Sequence, residues 1–218
     1  MPVFLDHFKF YDVVPLQVSR EVALKGQFDD DMFLGAFLPE VLHLGAAVSK
    51  NGEPISDKKR YMTSYSISAG PEPPRRVLIS NQFGTQELIL DQPELLLTPA
   101  VYVDPTAPMP EPLDHYKCYR VTSGPPIEAS VLLADFFDPA DSNRVTVPLF
   151  FGVPVEKRYG GLDEPIGAPD DHLTLYEILP KAYVAGGTIQ DQFRTGELDI
   201  LRSRMLAVPT TKLEWELA

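Results

Sequence analysis

The stretch His115-Tyr-Lys-Cys-Tyr119-Arg-Val121 has counterparts at His7-Phe-Lys-Phe-Tyr11-Asp-Val13, Tyr61-Met-Thr-Ser-Tyr65-Ser-Ile67 and His172-Leu-Thr-Leu-Tyr176-Glu-Ile178. The shared tyrosines are spaced 54, 54 and 57 residues apart. A second landmark follows each: Gly26-Gln27-Phe28, Asn81-Gln82-Phe83, Asp135-Phe136-Phe137 and Asp191-Gln192-Phe193. A third is an apolar run reaching Gly45, Pro99, Pro154 and Pro209, spaced 54, 55 and 55 residues. Three landmarks on one period make the chain a fourfold repeat of about 55 residues.

Each copy reads as strands. Alternation in the first segment puts His7, Lys9, Tyr11 and Val13 on one face and Phe8 and Phe10 on the other, so this strand is covered on both sides. The second segment alternates through Val22/Val77/Val131/Gly187 and Leu24/Ile79/Leu133/Ile189 to the shared phenylalanines, which should each anchor the core of their own repeat. A third short strand fits Leu88–Leu90, Val145–Val147 and Leu198–Ile200. A fourth fits Leu42–Leu44, Leu95–Leu97, Leu149–Phe151 and Met205–Ala207. No long window carries a 3.6-residue period, and 22 prolines in 218 residues suit short strands and turns better than helices. The expected fold is all-β: four tandem repeats of three to four short strands, arranged as two paired halves (1–109 and 110–218) or as one closed pseudo-symmetric structure. The proline-dense stretch 105–112 reads as a stiff spacer between the halves.

Composition bounds the function. Hydrophobic residues make up 44% and charged residues 23%, as in globular proteins. A net charge of −12 and a pI near 4.7 exclude nucleic acid and anionic lipid as main partners, because nothing offsets phosphate repulsion. No apolar run is long enough for a membrane-spanning helix, so no membrane insertion is expected. Cys118 is the single cysteine and no leader pattern opens the sequence, which favours a reducing cytoplasm, with secretion the alternative if a leader is removed.

The motifs resemble a repeat family of bacterial, often secreted, proteins of unknown function. Its copies read His-aromatic-x-Cys-Tyr-Lys-Val, then Gln-Phe-Gly, then Leu-Leu-Cys-x-Pro-Val-x-Lys. The matches are His115-Tyr-Lys-Cys118-Tyr119-Arg-Val121, Asn81-Gln82-Phe83-Gly84 and Leu95-Leu96-Leu97-Thr98-Pro99, with the Pro-x-x-Lys tail at Pro154–Lys157 and Pro209–Lys212. The first cysteine position of the family holds Phe10, Ser64, Cys118 and Thr174 here, and the second holds His43, Leu97, Gly152 and Ala207. Every pair is broken, which implies a version of the fold that needs no disulfides. The resemblance implies a scaffold and no activity.

Candidate chemistry is sparse. Asp-His pairs open three copies (His7, His115, His172), with Tyr61 in the fourth place. Converging on an axis, the imidazoles would suit a metal, but each has an adjacent Asp to satisfy it and Tyr61 breaks the set, so no metal and no cofactor are expected. A ligand on the axis would be lined by His7, Tyr11, Tyr61, Tyr65, His115, Tyr119, His172 and Tyr176, although aromatics at one register are also what a core requires. The acids Asp29–Asp31 and Asp135, Asp138 and Asp141 lack the spacing of a calcium loop and read as solvated turn residues. Cys118 lies mid-strand on the face opposite His115, where a buried thiol is expected rather than a nucleophile. No catalytic motif is present. The leading expectation is a non-catalytic structural or protein-binding β-repeat module whose partner is another protein or copies of itself. Surface tyrosines and Trp215 are candidates for that interface. The alternatives are a small-ligand or metal-binding protein, and an enzyme without a recognisable local motif.

Overall fold

Two-sided hydrophobic strands demand cover on both faces, and the chain supplies it by wrapping an outer layer of hairpins around a closed inner ring. The structure is a computed structural model that describes residues 5–102 and 113–218; the 105–112 stretch read as a spacer lies outside them. The first copy forms β1 (His7–Gly26) and β2 (Leu34–Lys50). The second forms β3 (Tyr61–Ser66), β4 (Ser68–Ala69), β5 (Arg75–Asn81) and β6 (Gly84–Tyr102). The third forms β7 (His115–Ser123), β8 (Ala129–Ala134), β9 (Asp141–Tyr159) and β10 (Leu162–Glu164). The fourth forms β11 (His172–Ile178), β12 (Ala182–Asp191) and β13 (Thr195–Leu217). No helix occurs among the described residues, so none is long and apolar enough to cross a membrane.

The strands expected third and fourth in copies two to four are one continuous strand, and the first copy has a long strand in the same place: β2, β6, β9 and β13 each run 17 to 23 residues. Pro93 does not end β6. The register shifts between Leu90 and Leu95 instead, so the strand bends rather than stops. In β1 the first and second expected strands are also continuous, with register shifts between Asp12 and Arg20 around Pro15 and Ser19, whose φ is +57°.

Antiparallel pairing runs β1–β13–β11–β9–β7–β6–β3–β2 and returns to β1, closing a ring of eight strands. Each long strand is flanked by the opening strand of its own copy and that of the next. Closure removes sheet edges. A single apolar cluster takes residues from all eight strands, among them Phe8 and Phe10, Ala47, Met62, Leu95 and Leu97, Tyr116 and Cys118, Phe150, Leu173 and Leu175, Met205 and Ala207. This cluster fills the ring, and Leu175, not Thr174, stands at the register of Cys118. Thr174 faces the other way and bonds Thr210 (2.9 Å).

The first halves of the long strands form hairpins with β1, β5, β8 and β12. Each hairpin reaches over the ring and pairs with the far end of the long strand two copies away. Ala23–Gly26 pair with Val155–Arg158, β5 with Thr211–Leu217, Leu133 and Ala134 with Ser49 and Lys50, and Ile189–Asp191 with Ala100–Tyr102. Three further apolar clusters lie between the ring and these arms. Gly45 is required by the packing inside the ring: a Cβ there would sit 2.7 Å from the Phe10 ring. Gly45→Ala should cost about 1–3 kcal/mol, whereas Gly152→Ala, whose Cβ would meet the Cys118 sulfur at 3.2 Å, should cost less. Chemical denaturation of the two variants checks the order.

Candidate functional site

The shared tyrosines point away from the ring interior and meet hairpin tips. Tyr11 Oη donates to Asp135 (2.6 Å) and Tyr65 Oη to Asp191 (2.5 Å); Asn81 donates to Tyr176 Oη (2.9 Å). The Phe two residues beyond each of those tip residues packs edge-on against the same tyrosine, in the pairs Tyr11–Phe137, Tyr65–Phe193 and Tyr176–Phe83, with ring centres 5.1–5.2 Å apart. Tyr119 meets Phe28 likewise at 5.4 Å, but Gly26 has no side chain to offer, and Glu72 accepts from Tyr119 Oη instead (3.0 Å). Each tip is also tied internally, for example by Phe193 and Arg194 N–H groups donating to Asp191. The shared phenylalanines therefore anchor the copy two places away, not their own. Burial next to carboxylates raises the pKa of Tyr11, Tyr65 and Tyr119, so all three remain protonated donors. Tyr65→Phe leaves a buried carboxylate short of a donor and should cost about 1–3 kcal/mol, read as a lowered urea midpoint with unchanged slope.

The histidines do not converge. His7 accepts from Gln82 Nε2 (2.9 Å), His172 Nε2 lies 3.4 Å from Gln27 Oε1, and His115 Nε2 accepts from Lys157 Nζ (2.6 Å). His7 and His172 meet the tips of two different arms, whereas His115 meets Lys157 at the far end of β9, the long strand of its own copy. Tyr61 departs from this pattern for a local reason: the tip residue it faces is Phe136 rather than Gln, and Tyr102 bridges them with ring centres 5.4 and 5.6 Å away. An aromatic set has replaced a polar pair. No group of three or more metal-ligating side chains occurs among the described residues. Burial lowers the pKa of all three histidines, that of His172 to about 4.

The acids read as solvated turn residues include two buried counter-ions. Asp138 takes Lys9 (3.3 Å) and Asp29 takes Lys117 (2.6 Å), and both lysines are almost wholly buried. Lys9 and Lys117 stand two residues before Tyr11 and Tyr119, and each tip brings its Asp, one residue after the shared Phe, to the lysine two copies on. The buried charge at those positions requires a counter-charge, and no local sequence rule links residues 88 or 129 apart. Glu72 and Arg75 complete the Lys117 cluster.

Cys118 is buried inside the ring and its pKa is raised by burial, which leaves a protonated thiol with no reactive role. One recess lies at the end of the ring, a cavity of about 380 Å³ floored by Leu42, Leu95, Leu149, Phe150 and Met205, with Arg120, Arg204 and His43 at its rim. The two guanidiniums are engaged by Glu94 and Glu177, each at 3.4 Å. His43 Nδ1 lies 3.1 Å from Ser64 Oγ and its Nε2 lies 3.5 Å from Asp12. The trio has the residue types of a hydrolase triad, but Ser64 is 0% exposed, so no acyl group reaches its hydroxyl, and burial holds His43 neutral with a pKa pushed down to about 4. Sequence reading missed this trio because His43 and Ser64 belong to different copies and meet only where β2 pairs β3. The exposed apolar residues include Leu213, Trp215 and Leu217 on the final strand.

Residues 61–209 match a family described as a repeat of unknown function (DUF7450). No curated protein and no solved structure matches the chain.

Proposed function

The chain belongs to this family of repeats of unknown function, and from that membership we propose that it is a non-catalytic structural module, four repeats closed into a single compact domain, that works by binding another protein. The observation that carries this reading is the tyrosine–tip contact. The residues that recur in the four copies, which would be the first candidates for shared chemistry, are engaged with one another across copies. What recurs is scaffold, and what differs is surface. Specific recognition in such proteins resides in the parts that differ between repeats. Of the eight His and Tyr positions that could line a ligand, Tyr11, Tyr65, Tyr119, Tyr176, His7 and His172 act as fasteners between ring and arm, while His115 and Tyr61 hold Lys157 and Tyr102 on the long strands of their own copies. The single buried thiol supports a reducing compartment such as the cytoplasm.

Affinity capture with the tagged full chain, together with native mass spectrometry of the purified protein, tests the reading. A protein recovered in stoichiometric amount, or concentration-dependent self-association, is the expected result. A chain that remains monomeric and captures no protein would overturn it, and a small molecule bound to that chain would move the ring-end recess to first place.

A further inference from the structure

Two places in this fold match side chain for side chain, and one of them lacks a part. At the end of β9 the Lys157 ammonium lies 4.9 Å from the Phe193 ring centre, donates to His115 and pairs with Glu164 at 2.7 Å. Glu164 belongs to β10, which runs antiparallel along the edge of β9 and places Glu164 directly opposite Lys157. At the end of β13 the matching residues are Lys212, His172 and Phe28. The Lys212 ammonium lies 5.3 Å from the Phe28 ring centre and donates to Gln27 Oε1, beside His172 Nε2. No carboxylate stands within ion-pair distance of Lys212 among the described residues; Asp170 acts on it only through space. The strand pairings match as well. Beyond Val155 and beyond Thr211 one edge is taken by an arm, β1 or β5. The other edge carries β10 on β9, and on β13 no described strand pairs there past Thr210. That open stretch displays Leu213, Trp215 and Leu217, 41–64% exposed.

We propose that this edge of β13 is the docking site for an extended segment of a partner protein, added antiparallel as β10 is added to β9, with an Asp or Glu opposite Lys212 and an apolar side chain against Trp215. This rests on the protein-binding reading and assigns its surface. Backbone pairing supplies the adhesion in such strand addition, and the side-chain pockets supply the choice of sequence. A half-buried ammonium lacking its carboxylate supplies a specific preference for acid. A second copy of β13 fits less well. Lys212, Trp215 and Leu217 stand opposite the buried Ile79, Val77 and Arg75, whereas Glu214 and Glu216 stand opposite Leu78 and Arg76 on the other face. Two such edges brought together antiparallel would set carboxylate against carboxylate and leave Lys212 without one.

The probe is a blocked peptide with the sequence of residues 160–166, Gly-Gly-Leu-Asp-Glu-Pro-Ile, titrated to millimolar concentration into the full ¹⁵N-labelled chain. Saturable shifts are expected at the amides of residues 212–217. The peptide with Gln in place of its Glu should bind about tenfold more weakly, as should the original peptide to Lys212→Gln. Absent shifts at 212–217, equal affinity for the two peptides, or self-association of the free chain through this edge would each overturn the proposal. If the full chain captures a partner and a folded Trp215→Glu variant captures it equally well, the edge assignment fails while the protein-binding reading stands. If nothing is captured, the chain stays monomeric and no peptide binds, both fail.

Discussion

Asp138→Ala should destabilise the protein by about 3–5 kcal/mol, the cost of stripping one partner from a buried ion pair. The Lys9 side chain is 0% exposed and its ammonium has three neighbours: Asp138 Oδ2 at 3.3 Å, the Tyr183 hydroxyl at 3.3 Å, and the ring of Tyr11, 5.3 Å from its centre. Asp138 also accepts from the Tyr183 hydroxyl and from Lys181. Once that carboxylate is removed, Lys9 keeps no ion-pair partner among the described residues, and the nearby Asp135 is already engaged by Tyr11. Lys9 then either unfolds the arm to reach water or gives up its proton, and both routes cost several kcal/mol. The double variant Lys9→Met/Asp138→Ala removes both charges and should recover more than half of the loss, since a methionine fills the lysine's space without needing a counter-ion. Urea denaturation of the two singles and the double closes the cycle. A loss below about 1 kcal/mol in Asp138→Ala would mean that Lys9 is not confined as the structure has it.

Acidification from pH 7 to pH 4 should remove roughly 3 kcal/mol for each of His43 and His172. Both are held neutral, with pKa values pushed from 6.5 to about 4 chiefly by burial. A depressed histidine binds fewer protons folded than unfolded below pH 6.5, so its stabilisation is complete above 6.5 and drains away as the pH falls towards 4. His7 and His115 shift in the same direction. Asp135 and Asp171 oppose them: burial raises their pKa, so the folded chain takes up their protons first and gains stability on acidification near the bottom of the window. The expected curve is a steep loss between pH 6.5 and 5 that flattens below. His43→Gln/His172→Gln should lower stability at pH 8 and flatten the slope between pH 7 and 5. A wild-type chain equally stable at pH 7 and pH 5 would refute the burial of both rings.

The repeat and the all-β class were legible in the sequence because both rest on local rules. Alternation set Phe8 and Phe10 against Lys9 and Tyr11, and the structure puts those two sets inside and outside the ring. Strand continuity was less legible, since Pro93 in β6 and Pro15 in β1 look like stops and are absorbed as register shifts. The landmarks themselves carried no label of purpose. Tyr176 and Phe83 were each visible as recurring, but nothing local says that one packs on the other, or that a tip serves the copy two places away. The same limit hid the counter-ions: Asp29 and Asp138 look like turn acids until closure of the ring carries their hairpins over Lys117 and Lys9. By itself the sequence determined period, strand alternation and the absence of a disulfide, because each follows from residue type and near-neighbour spacing. Only the tertiary structure decided which copies touch, which charges are buried and which strand edge stays open, because those depend on ring closure, and closure joins residues that no spacing rule connects.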